Sequence, residues 1–282
     1  MMASMSDYKT VLVHADAGKA TARRFDLALQ LGARFDAHVA ALYALDSIPT
    51  PSNLYEAGAA LREAQARLHQ DMRDGARKAW DEALRRSGHA KAEWRESGAD
   101  CLDAVALHAR YADLVVIGQQ NPDEGSGVDR RLERDLPLAA GRAVVVVPYI
   151  YAGATIGKHV IVAWNASREA ARSVREALPM LKAASHVHVL TLGKLGAASG
   201  HGEEPGADIA LYLTRHGVKV TVTHDEARGM DPGNLLLSRA ADLGADMIVM
   251  GAWGHSRLHE RVLGGVTRTL LLSMTVPLFM AH

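Results

Sequence analysis

Cysteine is almost missing from this chain, an excess of charge of either sign is missing altogether, and no long apolar run occurs. A single cysteine, Cys101, stands in 282 residues. It excludes an intrachain disulfide and suits a reducing compartment. Its place reads as a small, buried or half-buried residue at a helix start. Lys+Arg and Asp+Glu are both 32, so the formal net charge is +0. A chain without net positive charge has no overall electrostatic pull toward nucleic acid or an anionic membrane. The longest apolar stretches, such as Ala143 to Val147 and Met247 to Met250, fall far short of the roughly 20 residues that cross a bilayer. Met1 to Asp7 carries no basic segment followed by an apolar one, the mark of a secretory signal. The expectation is a cytoplasmic protein with no membrane and no nucleic-acid partner. What is abundant is core: 48% of the residues are hydrophobic.

That core material comes in two similar copies. Lys9-Thr10-Val11-Leu12-Val13-His14-Ala15-Asp16 resembles Lys158-His159-Val160-Ile161-Val162-Ala163-Trp164-Asn165. Each is a short β-branched run feeding a loop, the pattern of a buried strand. Helical stretches follow, Thr21 to Phe35 and Arg168 to Lys182, and then the strand-like runs Ala37 to Tyr43 and Ser185 to Thr191. Ala112-Asp113-Leu114-Val115-Val116-Ile117-Gly118 matches Ala245-Asp246-Met247-Ile248-Val249-Met250-Gly251 most closely. Both halves end in an apolar run, 143–147 and 276–280. The chain therefore divides into domains 1–150 and 157–282 with a short glycine-containing linker. Alternating strands and helices imply parallel sheets with helices on both faces, and continuous apolar strands suit burial on both sides. Ligands of such sheets bind beyond the carboxyl ends of the strands, where strand order reverses. The loops after Val162 and Met250 lie there.

The second of these loops is rich in glycine. Gly251 closes a strand, Gly254 follows after two residues, and nine residues separate Gly254 from Gly264-Gly265, which open a helix to Ser273. Glycines let backbone come close to an anion, and a helix N-terminus adds free N–H groups and a favourable dipole. Gly264, Gly265, Val266 and Thr267 supply both. The loop lacks the lysine of a Walker A motif and the three close glycines of a dinucleotide fingerprint.

This spacing, placed after a Met-Gly strand end, resembles the nucleotide-binding motif of the universal stress protein family. The resemblance extends over both halves and implies a tandem member: α/β, two doubly wound five-stranded parallel sheets of strand order 3-2-1-4-5, the adenine-nucleotide alpha-hydrolase-like fold. It implies an adenine nucleotide as ligand, ATP with or without Mg2+. It also implies that the halves pair as a pseudo-dimer through their last strands, and it is compatible with a homodimer of tandem chains. Carried over residue by residue, Ala163 and Trp164 border the adenine pocket. Asn165 stands where ATP-binding members often have aspartate, and the backbone of Leu192 reads the adenine edge. Met250, Gly251 and Gly254 pass beside the ribose and phosphates, with Trp253 near the base. Gly264, Gly265, Val266 and Thr267 receive the phosphates. Gly265 departs from the family's serine or threonine, which removes one hydroxyl donor.

The first half departs further. Gly118 remains, but Asn121 stands in place of Gly254, and Arg131 and Leu132 in place of Gly264 and Gly265. The expectation is a first half that binds no nucleotide. Its stretch Asp129 to Asp135 reads as a solvated, charge-rich segment. His255 with His259, and His186 with His188, have spacings that two metal ligands could share, yet no third ligand is evident, so no metal site is expected. Nor is a nucleophile with a general base recognisable. The function expected is nucleotide binding in a stress-response or regulatory role with little or no catalysis. The alternatives are a slow ATPase and a member that has lost ATP and acts as a structural or interaction module.

Overall fold

The computed structural model describes residues 7–44, 59–124, 129–193, 204–252 and 265–282. It divides into two compact units, Tyr8–Leu136 and a second built on Pro137–His282. The fold is α/β with mostly parallel strands.

The first unit runs β1 (Thr10–Ala15), α1 (Thr21–Phe35), β2 (His38–Ala44), α2 (Ala59–Ser87), β3 (Ala92–Ser97), α3 (Cys101–Ala109) and β4 (Leu114–Gly118). The boundary falls inside α4 (Arg130–Ala139). Its strands lie in the order β3-β2-β1-β4 with parallel pairing. β1 and β4 are buried almost throughout, as strands covered on both faces must be. α1 stops where Asp36 turns left-handed at φ 52° and sends its N–H to Gly32 O. Asp100 caps α3 by accepting from the N–H groups of Leu102 and Asp103.

The second unit runs β5 (Ala143–Val147), β6 (His159–Ala163), α5 (Arg168–Ala183), β7 (His186–Leu192), α6 (Ala207–Arg215), β8 (Val220–Asp225), α7 (Pro232–Asp242), β9 (Met247–Gly251), α8 (Gly265–Ser273) and β10 (Leu278–Ala281). Its strand order is β5-β10-β9-β6-β7-β8. Strands β6 to β10 thus follow the order 3-2-1-4-5 among themselves and pair in parallel. β5, the last strand in sequence before the linker, pairs antiparallel with β10, Val145 opposite Phe279. Ser167 caps α5, and Asp231 caps α7 just ahead of Pro232 at its first turn. The strand order reverses between β6 and β9, so their carboxyl ends open a crevice at the top of this unit.

One expectation is corrected in the first unit. Asp129 to Asp135 is not simply a solvated segment. It begins α4, with Asp129 and Leu132 buried. Arg131 holds Asp129 and reaches Asp100 at 2.7 Å, so the charges are paired with one another and not only with water.

Candidate functional site

The crevice above β6 and β9 is a cleft of about 480 Å3, within the range of small-molecule sites. Of the residues expected at the site, Ala163, Trp164, Asn165, Leu192, Met250, Gly251, Gly265, Val266 and Thr267 all line it. Trp253, Gly254 and Gly264 lie outside the described residues, as do His255 and His259.

Each lining residue has a local reason for its place. Ala163 ends β6, and the N–H of Trp164 donates to Leu190 O at 2.9 Å, which ties the loop to β7. Asn165 Oδ1 accepts from the N–H of Ser167 at 3.1 Å, a side-chain turn that brings the chain into α5. Ala166 takes the left-handed φ of 54° between them. The Oδ1 of Asn165 therefore shapes the loop. Gly251 is glycine for a steric reason: a Cβ there would meet Ala170 N at 2.5 Å and the backbone carbon of Glu169 at 2.7 Å. The end of β9 presses directly on the first turn of α5. Gly265, by contrast, has no atom of the described residues within 4 Å of an added Cβ. It opens α8, whose first N–H groups have no carbonyl in a preceding turn to bind.

Sequence reasoning missed Leu190, Gly193, Ala227, Pro232 and Leu236, which also line the cleft. Leu236 and Leu190 are buried, so with Met250 they make an apolar floor. The signal was present: α7 also begins at the carboxyl end of a strand, and its capped, proline-started N-terminus points it there. Among the described residues the lining carries no charged side chain. Its polar groups are the Asn165 amide, the Thr267 hydroxyl, the Trp164 indole N–H and backbone. No carboxylate is among them, so these residues supply no charged ligand for Mg2+.

The first unit shows what the same place looks like when closed. The registers set the equivalences. Val11 pairs with Leu114 as Val160 pairs with Met247, so His14 corresponds to Ala163, Asp16 to Asn165 and Gly118 to Gly251. Cys101 and Pro232 each follow the capping aspartate of the equivalent helix. The buried residues of α4 and the turn after it, Leu136, Pro137 and Ala140, match Leu270, Leu271 and Met274. That match sets Arg131, one residue earlier than expected, opposite Gly265.

His14 and Cys101 fill the position, each only 1% exposed. His14 Nε2 lies 3.3 Å from Cys101 Sγ. Asp16 accepts from the Gly18 N–H at 2.7 Å, from Thr21 Oγ1 at 2.5 Å and from the buried Arg24 guanidinium. Burial alone would raise the Asp16 carboxyl, but Arg24, His14 and these donors outweigh it and hold it below its ordinary value. Burial pushes His14 down to about 4, with Asp16 opposing and Arg24 reinforcing. A separate cleft of about 380 Å3 runs between the Asp16–Ala22 loop and α2.

His186 and His188 share a face of β7, as their spacing implies, and both contact Thr221 Oγ1, at 3.0 and 2.9 Å. Burial, then His186 and His159, lower His188 below the ordinary histidine value. Among the described residues, no group of three or more His, Cys, Asp or Glu could hold a metal ion. Among them also, no helix is long and apolar enough to cross a membrane.

The model of the universal stress protein family matches residues 157–282. The second half of the chain belongs to the universal stress protein family. No curated protein matches the chain. Among solved structures, a universal stress protein from Archaeoglobus fulgidus DSM 4304 is 13% identical, covers 96% of this chain and 95% of its own, and superposes with a TM-score of 0.69. A Pseudomonas aeruginosa PAO1 protein of unknown function is 13% identical over 97% of this chain and 92% of its own, with a TM-score of 0.57. These likenesses, spanning nearly the whole chain, show that the fold is shared. A universal stress protein solved in complex with cAMP aligns with 51% of this chain and 99% of its own at 23% identity and a TM-score of 0.35.

Proposed function

We propose that the universal stress protein domain at 157–282 binds an adenine nucleotide, ATP in the first instance, and that the first half binds none. The observation that carries this is the cleft itself. It joins an apolar floor, wide enough for a base, to the N-terminus of α8, where Gly265 brings no side chain to cover the backbone N–H groups. The base would lie against Leu190, Met250 and Leu236 beside Trp164, with the backbone at Leu192 on its edge. The phosphates would lie toward Gly265, Val266 and Thr267. Mg2+ would reach the site on the phosphates, since the described lining offers it no carboxylate.

The role is regulatory in this reading, in the cytoplasm and with little or no catalysis. Among the described lining residues no carboxylate, imidazole, thiol or amine is available as a general base. The pairing of β5 with β10 supports a pseudo-dimer, in which the first half supplies the strand that a second subunit would otherwise bring. Titration calorimetry with ATP on the purified chain tests the proposal, together with analysis of any nucleotide released on denaturation. Saturable binding of one nucleotide per chain is expected. No heat of binding at millimolar ATP would overturn the reading. Turnover above about 1 s⁻¹, ordinary for an enzyme, would overturn the non-catalytic part.

A further inference from the structure

The closed position in the first unit holds a line of three groups with a chemistry of its own. Cys101 is the first residue of the nine-residue α3 and the only cysteine of the chain. Its Sγ is 3.3 Å from His14 Nε2. On the far side of the ring, His14 Nδ1 faces Asp16 Oδ2 at 3.6 Å and makes no hydrogen bond, although it is fully buried. Asp16 is fixed by Gly18, Thr21 and Arg24 and stays ionised.

These facts fix the protons. An ionised carboxylate can only accept, so the ring nitrogen that faces it is favoured as N–H and repelled as a lone pair. The proton of a neutral His14 therefore sits on Nδ1, and Nε2 carries the lone pair. Cys101 is then placed to donate its S–H to Nε2 at 3.3 Å. The arrangement is a thiol, a base and a carboxylate that orients the base, the logic of an activated nucleophile. Cys101 also sits at a helix N-terminus, where the dipole favours a developing thiolate. A buried thiol in apolar surroundings is inert, but this one has an imidazole nitrogen at 3.3 Å.

We propose that Cys101 is an activated thiol that is oxidised by hydrogen peroxide, with His14 as proton acceptor and Asp16 as the group that positions His14. Sγ attacks one peroxide oxygen, an S–O bond forms and the O–O bond breaks. Sulfur loses two electrons and the peroxide gains them. The thiol proton passes to His14 Nε2 and then to the departing hydroxide, which leaves as water. The product is a sulfenic acid. Peroxide is neutral and little larger than water. Cys101 is only 1% exposed, so peroxide reaches it through local fluctuations at the α3 cap, where the neighbouring Asp100 is partly exposed. The second half has Ala163, Asn165 and Pro232 at the corresponding places and no such chemistry.

The test follows loss of the Cys101 thiol in the full-length protein during exposure to hydrogen peroxide, read after a denaturing quench, between pH 5 and pH 8. A thiol without a base reacts through its thiolate, so its rate rises about tenfold per pH unit below its ordinary value of about 8.5. Here the rate is expected to change less than about threefold across the range, because the neutral thiol–imidazole pair is present throughout; the depressed His14 supports this. His14→Gln should slow the reaction by about 100-fold, the lower end of general-base contributions, and restore the steep pH slope. If that variant does not fold, the wild-type profile alone decides. A steep wild-type slope, or oxidation no faster than global unfolding measured by amide exchange under the same conditions, overturns the proposal.

Discussion

At the end of its first strand each half places the same small device. Asp16 Oδ1 accepts from the N–H of Gly18, and Asn165 Oδ1 accepts from the N–H of Ser167, two residues on in both cases. The turn is shared, and the remaining atoms diverge. In the first half the second oxygen of Asp16 binds Arg24, whose Nε also reaches His14 O at 2.8 Å. In the second half the position of Arg24 belongs to Ser173, buried and bonded to the backbone of Ala281 in β10. His14 fills the space that Ala163 leaves open, and Arg131 stands where Gly265 leaves a helix end bare. The same sheet, the same turn and the same helix ends thus give a closed, charged knot in one half and a neutral cleft in the other. Fold decides where a site can be; a handful of side chains decides whether it is there.

The largest break in this comparison should come from Arg24. Removing one partner of a buried pair leaves an uncompensated charge, at a cost of about 3–5 kcal/mol. Arg24→Ala should destabilise the unit of β1 to β4 by that order in urea denaturation followed by amide exchange. Arg24→Ser with Asp16→Asn recreates the second half's pair and should recover much of the loss, because the charge goes as well. A cost below about 1 kcal/mol for Arg24→Ala would mean that Asp16 finds another partner and that the knot is not what closes this half.

Acid should separate the halves next. His14 is depressed from 6.5 to about 4, so between these values the unfolded chain binds a proton that the folded chain refuses. Stability is whole above pH 6.5 and falls as the pH drops toward 4. At about 1.4 kcal/mol per unit the loss is on the order of 3 kcal/mol. Asp16, held low, keeps its own contribution above its unfolded value of 3.8 and loses it only below that. Amide exchange at pH 7 and pH 4.5 should show protection lost in β1 and α1. β6 and α5, with Ala163 and Asn165, should lack this limb. His14→Ala should flatten it in the first unit. A first unit as well protected at pH 4.5 as at pH 7 would contradict this.

Glycine offers a smaller and sharper contrast within the second half. An added methyl at Gly251 meets the backbone of α5 at 2.5 Å, whereas at Gly265 it meets no atom of the described residues. Gly251→Ala should cost about 1–3 kcal/mol, the usual range for overpacking, and should weaken nucleotide binding with it. Gly265→Ala should stay within about 0.5 kcal/mol by thermal or urea unfolding. Equal costs would mean that β9 and α5 do not press together as described.

Much of this was legible in the sequence. Thr21 to Phe35 is a helix to the residue, because its apolar positions recur with helical spacing and Asp36 ends it. The repeat exposed the alternating strands and helices, the family resemblance implied the second half's strand order, and the glycine spacing pointed to the crevice whose described residues now line it together. The closing of the first half was only partly legible. Arg131 announced it, but Arg24, in a run that reads Ala22-Arg23-Arg24-Phe25, looks like any solvated arginine. Its burial depends on Asp16 from another element. His14 and Cys101 stand 87 positions apart, and no local pattern joins them. The charge-rich stretch before Leu136 misled for the same reason: composition suggests solvent, while the pairing of Arg131 with Asp100 and Asp129 is a tertiary fact. Periodicity reports burial along one element and is silent about which partner a polar side chain will meet.

The smallest predicted effect asks how far the open half can be improved. Gly265 begins α8 without a side chain over its N–H groups, but it brings no hydroxyl, where the resemblance to ATP-binding members calls for serine or threonine. The described residues leave room for one, since none of their atoms lies within 4 Å of a Cβ at this position. Gly265→Ser should therefore add a donor at the helix end without moving the backbone. A neutral hydrogen bond of this kind is worth on the order of 1 kcal/mol, or somewhat less than a tenfold gain in affinity for ATP by calorimetry. The same substitution should leave adenosine binding unchanged, because adenosine has no phosphate to receive the bond. Equal gains for both ligands would move the new hydroxyl's contact to the nucleoside. A loss for ATP alone would show that the phosphates need the bare backbone that only glycine provides.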